Sequence, residues 1–76
     1  MNAVQCRMAR AALQLGVREL AQIARVSPTT ITRLERGESL HPRTVEAVRA
    51  ALEAGGVEFI PRDGGGVGVR LKDGGG

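Results

Sequence analysis

Glycine partitions this 76-residue chain: nine of its eleven glycines fall after residue 54, and only Gly16 and Gly37 interrupt what comes before. Glycine inside a helix is destabilising by roughly 0.5–1 kcal/mol relative to alanine, because its backbone loses the most freedom on folding. Residues 1–54 are therefore predicted to form a helical domain, and residues 55–76 a Gly-punctuated tail. The helical part carries apolar residues at helical spacing. Val4, Met8, Ala11, Ala12 and Leu15 form one stripe, which Gly16 is expected to break. Val17, Leu20, Ala21 and Ala24 form a second. Ser27-Pro28 is a helix start, with a hydroxyl to accept from free N–H groups and a proline whose missing N–H is not needed there. Ile31 and Leu34 give that third helix its apolar side, and Gly37 is expected to close it in the left-handed conformation. After the turn Leu40-His41-Pro42, a fourth helix is predicted over 42–54, with Val45, Val48, Ala51 and Leu52 inward.

The tail holds two runs of strand character, Val57-Glu58-Phe59-Ile60 and Val67-Gly68-Val69-Arg70-Leu71, with a turn or loop expected at 61–66. An isolated hairpin is marginal in water, so these strands need a surface to cover or another chain's strand to join. A homodimer through residues 57–71 is the expectation, with a second protein partner as the other use of the tail. Gly74-Gly75-Gly76 is expected to be disordered.

Composition narrows the function. With no Trp, no Tyr and one Phe, the core must be built from Ala, Val, Leu and Ile, drawing helices close together. A chain this size buries only about 60% of its unfolded surface, which also favours extra burial against a partner. Cys6 has no second cysteine to pair with, and one cysteine and one histidine make no metal cluster, so a half-buried reduced thiol and no cofactor are expected. No catalytic triad or phosphate loop is present, and Gly64-Gly65-Gly66 lacks the strand–helix setting of a nucleotide loop. No enzyme is predicted. No signal-peptide pattern is evident and no apolar run approaches the roughly 18 residues of a membrane span, giving the expectation of a cytoplasmic, nucleoid-associated protein. The formal charge is +3, unevenly spread: residues 1–44 carry seven Arg against three Glu, whereas residues 45–76 carry four basic against five acidic residues. The positive field belongs to the first half, as for a phosphate-facing surface.

The most informative stretch is 17–36, VRELAQIARVSPTTITRLER. Two short helices flank a tight turn at Arg25-Val26-Ser27. Ala21 is small enough for a close crossing, and Leu20, Ala24, Val26, Ile31 and Leu34 anchor both sides. This leaves Thr29, Thr30, Thr32, Arg33 and Arg36 on the outer side, hydroxyls and guanidinium groups suited to bases and phosphates. Arg10, Leu20-Ala21, Val26-Ser27, Ile31, Leu34-Glu35, Gly37 and Pro42-Arg43 together resemble the helix-turn-helix of the Cro/C1-type (Xre) family of phage repressors and bacterial regulators. The resemblance covers residues 4–54. It implies a mainly α fold, a small lambda-repressor-like domain of four helices, here with a short C-terminal β extension.

By that resemblance, 15–25 holds the positioning helix and 27–36 the recognition helix, which lies in the major groove of double-stranded DNA. Pro28, Thr29 and Arg33 stand where the family reads bases, with Ser27 and Thr32 beside them. Arg33 leads, because a guanidinium binds guanine O6 and N7 in bidentate fashion. The competing reading of Arg33 is a solvated charge paired with a nearby Glu, and of the threonines, ordinary surface positions. Thr30, Arg36, Arg43 and Thr44 are expected at phosphates or the minor groove. The family often places a polar residue at the start of its second helix; this chain has Gly16-Val17, and Arg18 is the candidate replacement for that phosphate contact. The resemblance further implies a structural ion pair between Arg10 and Glu35. At the turn the family often has glycine, whose backbone takes positive φ, where this chain has Arg25; either the turn differs slightly here or Arg25 offsets the cost by contacting DNA. The function expected is a sequence-specific transcriptional regulator, a repressor, acting as a dimer. The alternative is an antitoxin or a protein-interaction adaptor on the same fold.

Overall fold

The computed structural model describes residues 1–63 and 66–72, the side chains of 62 and 63 excepted. Its elements are α1 (Ala3–Ala12), α2 (Val17–Ala24), α3 (Pro28–Glu35), α4 (Pro42–Ala54), β1 (Val57–Asp63) and β2 (Gly66–Leu71). Local chemistry accounts for the helix starts. The Asn2 side chain accepts from the Gln5 N–H at 2.8 Å while Gln5 Oε1 accepts from the Asn2 N–H at 3.1 Å, a reciprocal cap. Glu19 Oε1 takes the Gly16 N–H at 2.8 Å. Ser27 caps α3 through the Thr30 N–H, and His41 Nδ1 caps α4 through the Arg43 N–H, each with proline at the first helical position.

Three helices end alike. In each, a left-handed residue bends the chain so that its N–H and the next return to carbonyls three and five residues back. Gln14 (φ 58) and Leu15 close α1, Arg25 (φ 60) and Val26 close α2, and Gly37 (φ 89) and Glu38 close α3. Gly37 performs the role expected of it. Gly16 does not break the first stripe: Gln14 ends α1, and Gly16 caps α2 with an extended backbone. Of the two alternatives left open at Arg25, the turn is not a different one: Arg25 is left-handed, in a conformation its side chain disfavours by roughly 1–2 kcal/mol. Arg25→Gly is therefore expected to stabilise the domain by about 0.5–1 kcal/mol, after the added freedom of the unfolded glycine is subtracted. Thermal unfolding should show a midpoint a few degrees higher, and an unchanged or lower midpoint would mean the turn is not strained.

Leu20, Ile31, Val48, Leu52, Val57 and Cys6 are fully buried, with Ala9, Ala21, Ala24 and Leu34 completing the core. The faces expected for α2, α3 and α4 are those that point inward. That expected for α1 is not. Its buried residues are Gln5, Cys6 and Ala9, while Val4 and Met8 are 42% and 40% exposed. The reason lies in the hairpin. Gln5 Nε2 donates to the carbonyls of Ile60 and Gly68, both at 3.1 Å, and this turns the Gln5–Cys6–Ala9 side of α1 inward. Cys6, expected half-buried, is wholly enclosed.

The two strands are antiparallel, pairing Val57 with Leu71, Phe59 with Val69 and Ile60 with Gly68, with a register shift before Asp63 pairs with Gly66. Both runs of strand character are thus realised and extend into the expected loop. The Gly64 and Gly65 part of that loop and the expected disorder of 74–76 lie outside the described residues. The hairpin packs on α1 and α4 of its own chain: Val57 enters the core, Phe59 and Val69 lie half-buried against it, and the Arg49 guanidinium sits 5.9 Å from the Phe59 ring centre. At the far end of α4 a Cβ on Gly55 would come within 2.8 Å of Leu13 Cδ1, so a larger residue there would require the Leu13 side chain to shift.

Candidate nucleic-acid interface

α3 is held from behind. Ile31, Leu34 and Glu35 point inward, where α1 and α2 pack against them. α2 offers its buried Leu20, Ala21 and Ala24, and the left-handed Arg25 reverses the chain into the Ser27 cap. What remains outside is the surface the sequence singles out. Ser27, Pro28, Thr29, Thr32, Arg33 and Arg36 are exposed, and Thr30 is half-covered. Among the described residues, the face is not packed under α4 or the hairpin. Arg18, on α2, is also exposed. Arg43 and Thr44 stand on a separate element, the first turn of α4, Arg43 exposed and Thr44 half-buried.

Local bonds differentiate these residues. The Ser27 and Thr30 hydroxyls lie 2.9 Å apart and Ser27 Oγ accepts the Thr30 N–H at 3.2 Å, so both are engaged in the cap. Thr32 donates its hydroxyl to the Pro28 carbonyl at 3.2 Å, leaving its oxygen as an acceptor toward solvent. Thr29 and Pro28 are exposed at the helix start, where the Thr29 N–H and the positive end of the dipole favour anions. Arg33 Nε donates to Glu38 Oε1 at 2.8 Å and Arg36 Nη2 to Glu38 Oε2 at 3.0 Å. These hydrogen bonds, the one from Arg33 foremost, hold the Glu38 carboxyl below the usual carboxylate range.

The inner end of α3 is fastened by a second charged group. Arg10 grips Glu35 with Nε at 2.8 Å and Nη2 at 3.0 Å, and its Nη1 reaches the Leu15 carbonyl at 3.2 Å. Arg7 donates to the Glu35 carbonyl at the helix C-terminus, and the Cys6 thiol lies 3.5 Å from Glu35 Oε2. Burial, reinforced by the Glu35 charge, pushes the Cys6 thiol up to about 12, so it stays protonated and unreactive. The Arg10–Glu35 pair is structural, as the resemblance implies: Glu35 is 8% exposed and faces away from the outer surface of α3.

Two short helices joined by a left-handed turn, the second anchored within and polar without, are the geometry of one binding motif. A family model for the helix-turn-helix domain matches residues 3–59. The chain belongs to the helix-turn-helix domain family. No curated protein matches it. Members of this family bind DNA and are not typically enzymes. Among the described residues of this helix-turn-helix domain, no group of His, Cys, Asp and Glu is arranged to hold a metal ion, and no helix is long and apolar enough to cross a membrane.

Four functional side chains escape a reading of the sequence alone. Gln5 and Arg49 tie the hairpin down, and Arg7 caps the C-terminus of α3; the local patterns of Gln5 with Asn2 and of Arg49 with Glu53 do not announce those distant partners. Glu38 had a local signal: it follows Gly37, and a left-handed residue there returns the chain toward the last turn of α3.

Proposed function

We propose that this helix-turn-helix domain is a sequence-specific, double-stranded-DNA-binding transcriptional repressor that acts as a homodimer. The observation that carries the reading is the outer face of α3. Pro28, Thr29, Thr32 and Arg33 project outward from a helix whose opposite side is locked by Ile31, Leu34 and the Arg10–Glu35 pair. A rigid helix with a short-chain N-terminus and a long guanidinium one turn later suits entry into a major groove about 12 Å wide. Ser27, Pro28, Thr29, Thr32 and Arg33 are the base-reading set. Arg18, Thr30, Arg36, Arg43 and Thr44 face phosphates or the minor groove. Repression follows from occupancy, since a domain seated in the groove obstructs polymerase without a further contact. The dimer is supported by the hairpin: each strand of a two-stranded sheet keeps one open edge, and Leu71 is 54% exposed. Two copies paired there would address half-sites about one helical turn apart.

Selection of bound fragments from random duplex DNA tests the reading. An enriched, pseudo-palindromic sequence is expected. Arg33→Ala should relax the preference at one base position per half-site, a discrimination of about 1–3 kcal/mol. Arg43→Ala should weaken all duplexes alike and lower the slope of log affinity against log salt by about 1. No enrichment, with no affinity for any duplex at low salt, would refute DNA recognition. A monomer by equilibrium sedimentation, on and off the selected DNA, would refute the dimer.

A further inference from the structure

Glu38 places a negative charge beside the surface that the proposed function turns toward a polyanion. Its setting is specific. Gly37 is left-handed at φ 89, and the Glu38 N–H then donates to the Arg33 carbonyl at 3.1 Å. The side chains of the same two residues close a second link, Arg33 Nε to Glu38 Oε1 at 2.8 Å. The other carboxylate oxygen is taken by Arg36. One carboxylate thus aligns two arginines on one turn, and the trio keeps a net positive charge.

Which nitrogens are held decides what the guanidinium can do. The bond from Glu38 occupies Nε, on the inner edge of the planar group. Among the described residues neither terminal nitrogen of Arg33 has a partner. Those two nitrogens form the end-on edge of the fork, whose N–H groups match the paired acceptors O6 and N7 of guanine. A free arginine would have to give up several rotatable bonds on binding; one tethered at backbone and Nε has already lost part of that freedom.

We propose that Glu38 is a positioning residue for base reading: it clamps Arg33 by Nε so that the guanidinium presents its two terminal nitrogens to a guanine. This rests on α3 being the base-reading helix. It is distinguishable from a plain surface ion pair. With 48% and 41% of the two side chains exposed, the pair contributes little to folding. A carboxylate that served only as a charge would repel the phosphates, and its neutralisation would then tighten binding to every duplex.

The test compares the intact protein with E38Q, E38D, R33A and R33A/E38Q. Each is titrated against the selected duplex and the three duplexes that replace the Arg33-dependent base pair. R33A is expected to reduce preference for guanine by a factor of about 5 to 150. E38Q and E38D, the latter too short to reach Nε from the same backbone, should each reduce it about three- to tenfold. Their melting temperatures should stay at the wild-type value, and E38Q should change nothing further in the R33A background. If E38Q instead tightens binding to all four duplexes alike, or E38D keeps the full preference, the clamp is refuted. If R33A itself leaves the base profile intact while DNA is still bound, the assignment of Arg33 fails and the clamp with it. If no duplex is bound, the reading of α3 has failed first.

Discussion

Arg10→Met is expected to destabilise the domain by about 3 kcal/mol, toward the lower end of the range for stranding a buried charge. Arg10 supplies both strong donors to Glu35; without them that carboxylate, 8% exposed, keeps among the described residues the weak Cys6 thiol alone. Globular domains hold roughly 0.05–0.15 kcal/mol per residue, so a chain this size has about 4–11 kcal/mol to lose. The unfolding midpoint should fall by about 15 °C, taking about 4–8 °C per kcal/mol. The double variant Arg10→Met/Glu35→Leu is the informative companion. It removes both charges together and should recover most of the loss, because a buried pair replaced by apolar groups is near neutral. It should also keep its affinity for DNA, since neither side chain lies on the outer face of α3. Circular dichroism melts of the three proteins decide the matter. A single variant that costs under about 1 kcal/mol, or a double no better than the single, would remove the Arg10–Glu35 clasp as the fastening of α3.

The second large effect concerns the tail. Truncation after Gly56 is expected to leave the chain mostly unfolded at room temperature. It takes away the fully buried Val57 and the half-buried Phe59 and Val69, together about 4 kcal/mol of burial. That equals the lower bound of the stability just given for the whole domain. Gln5 would lose both strand carbonyls, and the core beside Cys6 would open to water. Loss of helical signal and of dispersed amide resonances is the expected result. A truncated chain that melts cooperatively within about 1 kcal/mol of the intact protein would show the hairpin to be an accessory. Truncation is therefore a poor probe of dimerisation, because it damages the fold before it reports on a partner. Substitutions at exposed Leu71 separate the two effects.

The second and third helices were legible because their instructions are local. Ser27-Pro28 and Gly37 mark the ends of α3, and Leu20, Ala21, Ala24, Ile31 and Leu34 are spaced to meet across a tight turn. The first helix misleads for a physical reason. Val4, Met8 and Ala11 form a regular apolar row, but a row of apolar side chains does not command burial when another side of the helix has better partners. Gln5 decides the rotation of α1, and its partners are carbonyls 55 and 63 residues away in sequence. Nothing near Gln5 announces them. The break after α1 was misplaced on similar grounds. Glycine is the usual occupant of a left-handed closing position, yet glutamine fills it here and Gly16 lies two residues beyond. At the outer face, the exposed positions were legible from the pattern of α3. Their state was legible in outline: pairing of Arg33 with a nearby Glu was the competing reading and is present, but that the partner is Glu38 depends on how far Gly37 bends the backbone.

α1 joins two parts of the molecule that sequence alone would keep apart. Its Gln5 grips the hairpin, and about one and a half turns further its Arg10 grips the end of α3. A helix bound at both places cannot yield at one and stay seated at the other. Slow amide exchange should accordingly vanish from tail and reading helix at the same rate, as in one cooperative unit. Protease attack on the hairpin would then be an indirect clock for how often the groove-facing surface dissolves.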